Sequence, residues 1–77
     1  MRYLIIIEQG EHNLSAYVPD LPGCVAVGKS QQEVLRLIEE AIEFHLEGLT
    51  EEGKPVPAPR SSSAFIEIDT TRQSATH

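Results

Sequence analysis

The stretch from Ser30 to Gly53 constrains the fold most. Val34, Leu35, Ile38, Ala41, Ile42, His45, Leu46 and Leu49 recur at the 3.6-residue period of one helix face. Glu33, Arg36, Glu39, Glu40, Glu43 and Glu47 take the opposite face, and Leu37 and Phe44 lie on the flank between them. Ser30 stands three residues before Glu33, the spacing of a capping box. Gly53 is placed to stop the helix in a left-handed conformation. Gly48, inside it, costs about 1 kcal/mol relative to alanine. A helix with one apolar stripe must lay that stripe on another element.

The rest of the chain supplies strands. Residues 2–8 include three consecutive isoleucines, β-branched and stiff at χ1, and Leu4 to Ile7 are apolar on both faces. Burial on both faces predicts a central position in a sheet. Gln9 to Asn13 form a turn. Residues 14–18 alternate, with Leu14, Ala16 and Val18 on one side and Ser15 and Tyr17 on the other. Pro19-Asp20-Leu21-Pro22-Gly23 is a rigid connection, because each proline fixes φ and lacks a donor. Residues 24–28 make a short third strand with Val25 and Val27 on one face. Lys54 to Ser63, with its prolines and serines, reads as an extended loop. Residues 64–69 alternate again, Ala64, Ile66 and Ile68 against Phe65, Glu67 and Asp69, and predict a fourth strand. Residues 70–77 hold no apolar side chain larger than alanine and are expected to be a disordered tail.

The expected fold class is therefore α+β, in the order β-β-β-α-β, as one domain over residues 1–69. A right-handed crossover through the helix makes the last strand parallel to the first. Pairing those two gives a sheet order of 3-2-1-4 with the helix on one face. This is the front part of a ribonuclease H-like fold.

Composition narrows the function. Twelve acidic residues against six basic ones give a net charge of −6. Direct nucleic-acid binding needs a basic footprint and is not expected; a basic partner suits this charge. No apolar run approaches the ~20 residues of a membrane span, and no signal-peptide core is present, so a cytoplasmic location is expected. A chain of 77 residues has a thin core, and the single cysteine excludes an internal disulfide. The three histidines show no ligand spacing, so neither metal nor cofactor is expected. Oligomerisation is the remaining way to reinforce such a core, as a homodimer or a tetramer.

Catalysis finds little to work with. A ribonuclease H enzyme holds two divalent ions on converging carboxylates. Here Glu8, Glu67 and Asp69 lie near strand ends, no aspartate interrupts Leu4 to Ile7, and the helix glutamates face away from the sheet. Cys24 reads as a small buried hydrophobe, since no cysteine–histidine constellation accompanies it. His45 reads as a half-buried residue with a backbone partner and not as a ligand. The protein is expected not to be an enzyme.

Tyr17-Val18-Pro19-Asp20-Leu21-Pro22-Gly23-Cys24, then Gly28-Lys29-Ser30, resembles the HicB family of antitoxins. Glu33, Glu40-Ala41-Ile42 and Gly53-Lys54-Pro55-Val56-Pro57 extend the likeness to residues 2–69. The resemblance implies a partner, a small basic HicA-like toxin that cleaves RNA. Many members carry a C-terminal DNA-binding segment, and none is legible after residue 69 here. Leu37 and Val34 also depart from the usual asparagine and alanine. Five residues are the candidate contacts: Tyr17, Asp20 and Pro22 around the rigid loop, and Leu37 and Phe44 on the helix flank. The loop residues also have a purely structural role open to them, fixing the turn. The acidic helix face is either a solvated face or a surface that steers a basic partner. The alternative reading is an orphan domain of the same family that binds another protein or a small ligand.

Overall fold

The computed structural model describes residues 1–71, so residues 72–77 of the expected tail lie outside it. Three strands and one long helix follow in chain order: β1 (Ile6–Gln9), β2 (Leu14–Tyr17), β3 (Val25–Gly28) and α1 (Gln31–Glu51). The strands form one antiparallel sheet in the order β1-β2-β3. Rows run straight across it: Ile6, Tyr17 and Val25 form one, and Ile7, Ala16 and Ala26 the next. Alternation puts these rows on opposite faces. The helix packs across β2 and β3 on the Ala16 face.

Helix α1 begins and ends where the sequence says. The Glu33 amide donates to Ser30 Oγ at 3.1 Å. The Glu33 carboxylate in turn accepts from the Lys29 amide at 2.7 Å, one residue upstream of the cap. At the far end Gly53 has φ of 72°, its amide donates to the Thr50 carbonyl at 3.1 Å, and the Lys54 amide donates to the Leu49 carbonyl at 2.9 Å. That pair of bonds is a Schellman motif, which satisfies carbonyls the helix leaves orphaned.

Ala16, Val18, Leu21, Cys24, Val34 and Ile38 are buried and form the core. Tyr3, Ile5, Ile7, Leu14, Ala26, Ala41, Ile42 and Leu46 pack around it. Leu21 is fully buried and comes from the loop, not from a strand or the helix. Two consecutive turns put it there. The Leu21 amide donates to the Val18 carbonyl at 3.0 Å and the Cys24 amide to the Leu21 carbonyl at 3.1 Å. Pro22 and Gly23, with φ of 85° at Gly23, are the second and third residues of the latter turn, the pairing a type II turn requires.

The fourth strand is not formed among the described residues, and the order 3-2-1-4 is corrected to β1-β2-β3. Residues 64–69 are exposed and have no regular secondary structure, and no strand pairs with them. The expected crossover from β3 through α1 to a fourth strand is accordingly missing among the described residues. Strand β1 is an edge strand, not the central one, and it is shorter than residues 2–8. The register explains this. Tyr17 pairs with Ile6 and is the last residue of β2. Beyond it the chain turns at Pro19, which has no amide to donate, so residues 2–5 have no ladder on that side.

Candidate functional site

The five candidate contact residues do not form one patch. Asp20 is already occupied. Its carboxylate accepts from the Arg60 amide at 2.9 Å, the Ser61 amide at 3.0 Å and the Ser61 hydroxyl at 2.9 Å. The amides of Ser61 and Arg60 hold the Asp20 carboxyl below its ordinary pKa, because they bind its charged form. This clasp fastens the strap after the helix to the rigid loop. Tyr3 adds a second tie through its hydroxyl, which donates to the Pro57 carbonyl at 2.5 Å.

Tyr17 lies on the sheet face away from the helix, in a row with Ile6 and Val25. Val25 and Val27 are exposed there too, so this face carries an uncovered apolar patch. Leu37 and Phe44 lie seven residues apart on one flank of the helix. Leu37 is half-buried, whereas Phe44 is 79% exposed.

Phe44 overhangs a cleft of about 480 Å³ between the second half of α1 and the β3 edge. Gly23, Cys24 and Val25 form one wall, and Ala41, His45 and Gly48 belong to the other. Gly48 leaves room there, since a methyl group at this position would meet nothing within 4 Å. Pro22 is exposed beside Gly23, at the edge of the same cleft. Phe44, Pro22 and Leu37 therefore belong to one side of the molecule. Tyr17 belongs to the opposite face of the sheet, and Asp20 to the internal clasp.

The charge on the helix is not neutralised locally. Arg36 pairs with Glu40 at 3.0 Å and Lys54 with Glu52 at 3.0 Å. Glu39, Glu43, Glu47 and Glu51 have no cationic partner among the described residues. Glu47 lies one turn beyond Phe44 on α1, whereas Glu43 lines the cleft on the opposite flank of the helix.

Cys24 is buried, and burial pushes its thiol pKa up, which suppresses the nucleophilic thiolate. His45 is half-buried in the cleft wall and has, among the described residues, no backbone partner of the kind expected for it. No group of three metal-ligating side chains exists among the described residues, nor does a helix long and apolar enough to cross a membrane. The sequence reading overlooked a second cleft. It measures about 380 Å³ and lies between β1 and the first half of α1, with Tyr3, Ile5, Leu35, Ile38 and Ile42 as its apolar walls. It exists because the helix sits over β2 and β3 and leaves β1 partly uncovered, a lateral offset that periodicity does not encode.

Known proteins place this architecture. A protein of Haemophilus phage HP1, described as an uncharacterized 14.9 kDa protein in the rep-hol intergenic region, is 35% identical over 66 residues, 86% of this chain and 50% of its own length. A UPF0150 protein of Helicobacter pylori is 54% identical over 41 residues, 53% of this chain and 57% of its own length. The chain thus spans about half the length of these two relatives. A UPF0150 protein of Thermoplasma acidophilum is 38% identical over 67 residues and is matched over 97% of its length and 86% of this chain. Among solved structures, a chain of the HicA3 and HicB3 toxin-antitoxin complex superposes with a TM-score of 0.65 at 33% identity, covering 78% of this chain and 70% of that one. Residues 3–74 match the family profile described as HicB-like antitoxin of bacterial toxin-antitoxin system. With that match over nearly its whole length, the chain belongs to the HicB-like antitoxins.

Proposed function

We propose that this antitoxin silences a small basic RNA-cleaving toxin of the HicA class by covering the surface with which the toxin holds RNA. The observation that carries the reading is Phe44, 79% exposed beside an open cleft and one helical turn from the unneutralised Glu47. An exposed aromatic ring next to a pocket is the usual form of an interface anchor. Carboxylates on the same helix attract a basic surface and repel an RNA phosphate backbone. The likeness to a chain from a toxin–antitoxin complex supports the same reading. Leu37 and Pro22 extend the contact around Phe44. Neutralisation of this kind is occlusion: it uses no catalysis and no cofactor, and takes place in the cytoplasm where the toxin acts.

The test is binding and rescue with a small basic toxin of the HicA class, sought among the neighbouring genes. Co-expression restores growth, and Phe44→Ala weakens the complex by at least about tenfold, the scale of an anchor residue. Glu43→Lys with Glu47→Lys slows association by roughly tenfold at low salt and by much less at high salt, since exposed charges are screened. A toxin that binds equally well to all three variants would overturn the proposed surface. Absence of any binding to a basic toxin would overturn the function and leave a domain that serves another ligand.

A further inference from the structure

We infer that a strand of the bound toxin adds to the free edge of β3, so that the two proteins share one sheet beside the Phe44 cleft. This rests on the reading of the chain as the antitoxin of a basic toxin, and specifies how that partner docks.

The ladder shows which backbone groups are free. The Val18 amide donates to the Cys24 carbonyl at 3.2 Å, and the pairs that follow keep that register without a break: Tyr17 with Val25, Ala16 with Ala26, Ser15 with Val27 and Leu14 with Gly28. Bonded and non-bonded positions alternate along an antiparallel pair. Counted from Cys24, Ala26 and Gly28 bond inward to β2, and the amides and carbonyls of Val25 and Val27 point out of the sheet. No strand lies beyond β3 among the described residues, and no loop or helix backbone there bonds to these four groups.

The edge is also undefended. Sheet edges are blunted by a charge, a proline or a bulge. Strand β3 reads Val-Ala-Val-Gly in unbroken register and has none of the three. Its two valines are exposed, Val25 by 63% and Val27 by 57%. The other edge, β1, carries Glu8 and Gln9.

The surroundings set what the added strand must carry. Side chains alternate across a sheet, so an incoming residue beside Val25 extends the row of Ile6, Tyr17 and Val25. One beside Cys24 enters the cleft under Phe44, where Gly48 leaves room. Both places are apolar. The charge lies along the helix, which has six glutamates and no lysine or arginine from Leu37 to Gly53. Glu52 stands at the lip of the cleft, and Glu47 and Glu51 stand near the helix end whose backbone dipole is itself negative. Lys54 offsets only Glu52. An apolar strand flanked by lysine or arginine matches both the edge and this charge. A second copy of this acidic chain does not.

Amide hydrogen exchange of the full chain, alone and with a small basic toxin of the HicA class, tests the docking. Ala26 and Gly28 are expected to be protected in both states, and the toxin slows exchange at Val25 and Val27 at least about tenfold. Val27→Pro deletes one outward donor and leaves the inward ladder whole, a position where an edge strand tolerates proline. It raises the toxin dissociation constant at least about tenfold, the scale of a buried hydrogen bond left unmade. Val27→Ile keeps the amide and the branched side chain and stays within about threefold of the wild type. Circular dichroism verifies the fold of each variant, and if Val27→Pro does not fold, the exchange comparison on the wild-type chain decides. Toxin binding that leaves Val25 and Val27 unprotected, or that a folded Val27→Pro does not weaken, overturns the edge docking while the antitoxin reading stands. Failure to bind any such toxin overturns both. Protection of Val25 and Val27 that appears without toxin and grows with the concentration of this chain assigns the edge to a second copy and overturns the docking.

Discussion

Asp20 shows how much one side chain can hold. Its carboxylate binds two successive amides and a hydroxyl of a strap 40 and 41 residues further along the chain. Because the folded carboxyl is held below its ordinary pKa, its contribution to stability is present above that value and is lost as pH falls through the folded value. Exchange protection of the Arg60 and Ser61 amides is therefore expected to persist down to the ordinary aspartate pKa of ~3.9 and to be lost only below it, as pH falls through the lowered folded value. Asp20→Ala, which leaves no acceptor, should remove it at every pH. Protection that survives both changes would show that the strap is fastened elsewhere. Ser30 is a simpler case: Ser30→Ala should lower stability by about 1 kcal/mol in urea denaturation, since the Glu33 amide loses its acceptor. The two residues differ in legibility. The Ser30 cap was visible as a spacing of three, because capping is local. The Asp20 clasp was not, because nothing in Pro-Asp-Leu-Pro-Gly indicates a partner that far away.

Among the elements, the helix was read almost to the residue, since cap, stripe and stop agree with one another. The first three strands and their antiparallel order were legible for the same reason: short turns join them. The fourth strand failed because alternation states what a segment can become, not what pairs with it. The isoleucines of β1 misled similarly, since apolar residues on both faces also describe an edge with an open cleft on one side and an uncovered face on the other. Gly48 offers a test at this scale. A methyl group there meets nothing within 4 Å, so packing does not demand the glycine. Gly48→Ala should raise stability by about 0.5–1 kcal/mol through helix propensity, read as an increase in the urea midpoint. If toxin affinity falls while stability rises, the glycine is there to keep the cleft beside Phe44 open.

For the molecule as a whole, a small sheet with one helix leaves much of its surface apolar. The Tyr17 face, the cleft over β1 and the ring of Phe44 are three separate places where water meets hydrocarbon. The resemblance read from the Pro-Asp-Leu-Pro-Gly-Cys run identified the family correctly, but it could not distribute those surfaces among partners. Most of the body is joined by neighbours in sequence: two hairpin ladders, then a helix laid back on them. The clasp from Asp20 to Ser61 and the tie from Tyr3 to Pro57 are different, for they close loops of 41 and 54 residues. Loops of that length close late, because their entropy is recovered only once both ends are in place. Disabling the clasp should therefore leave the refolding arm of a chevron plot almost unchanged and steepen the loss of the native state, with unfolding faster for Asp20→Ala by nearly its whole effect on stability. In that sense the strap acts as a latch on the lifetime of the fold and has little part in how quickly it is reached.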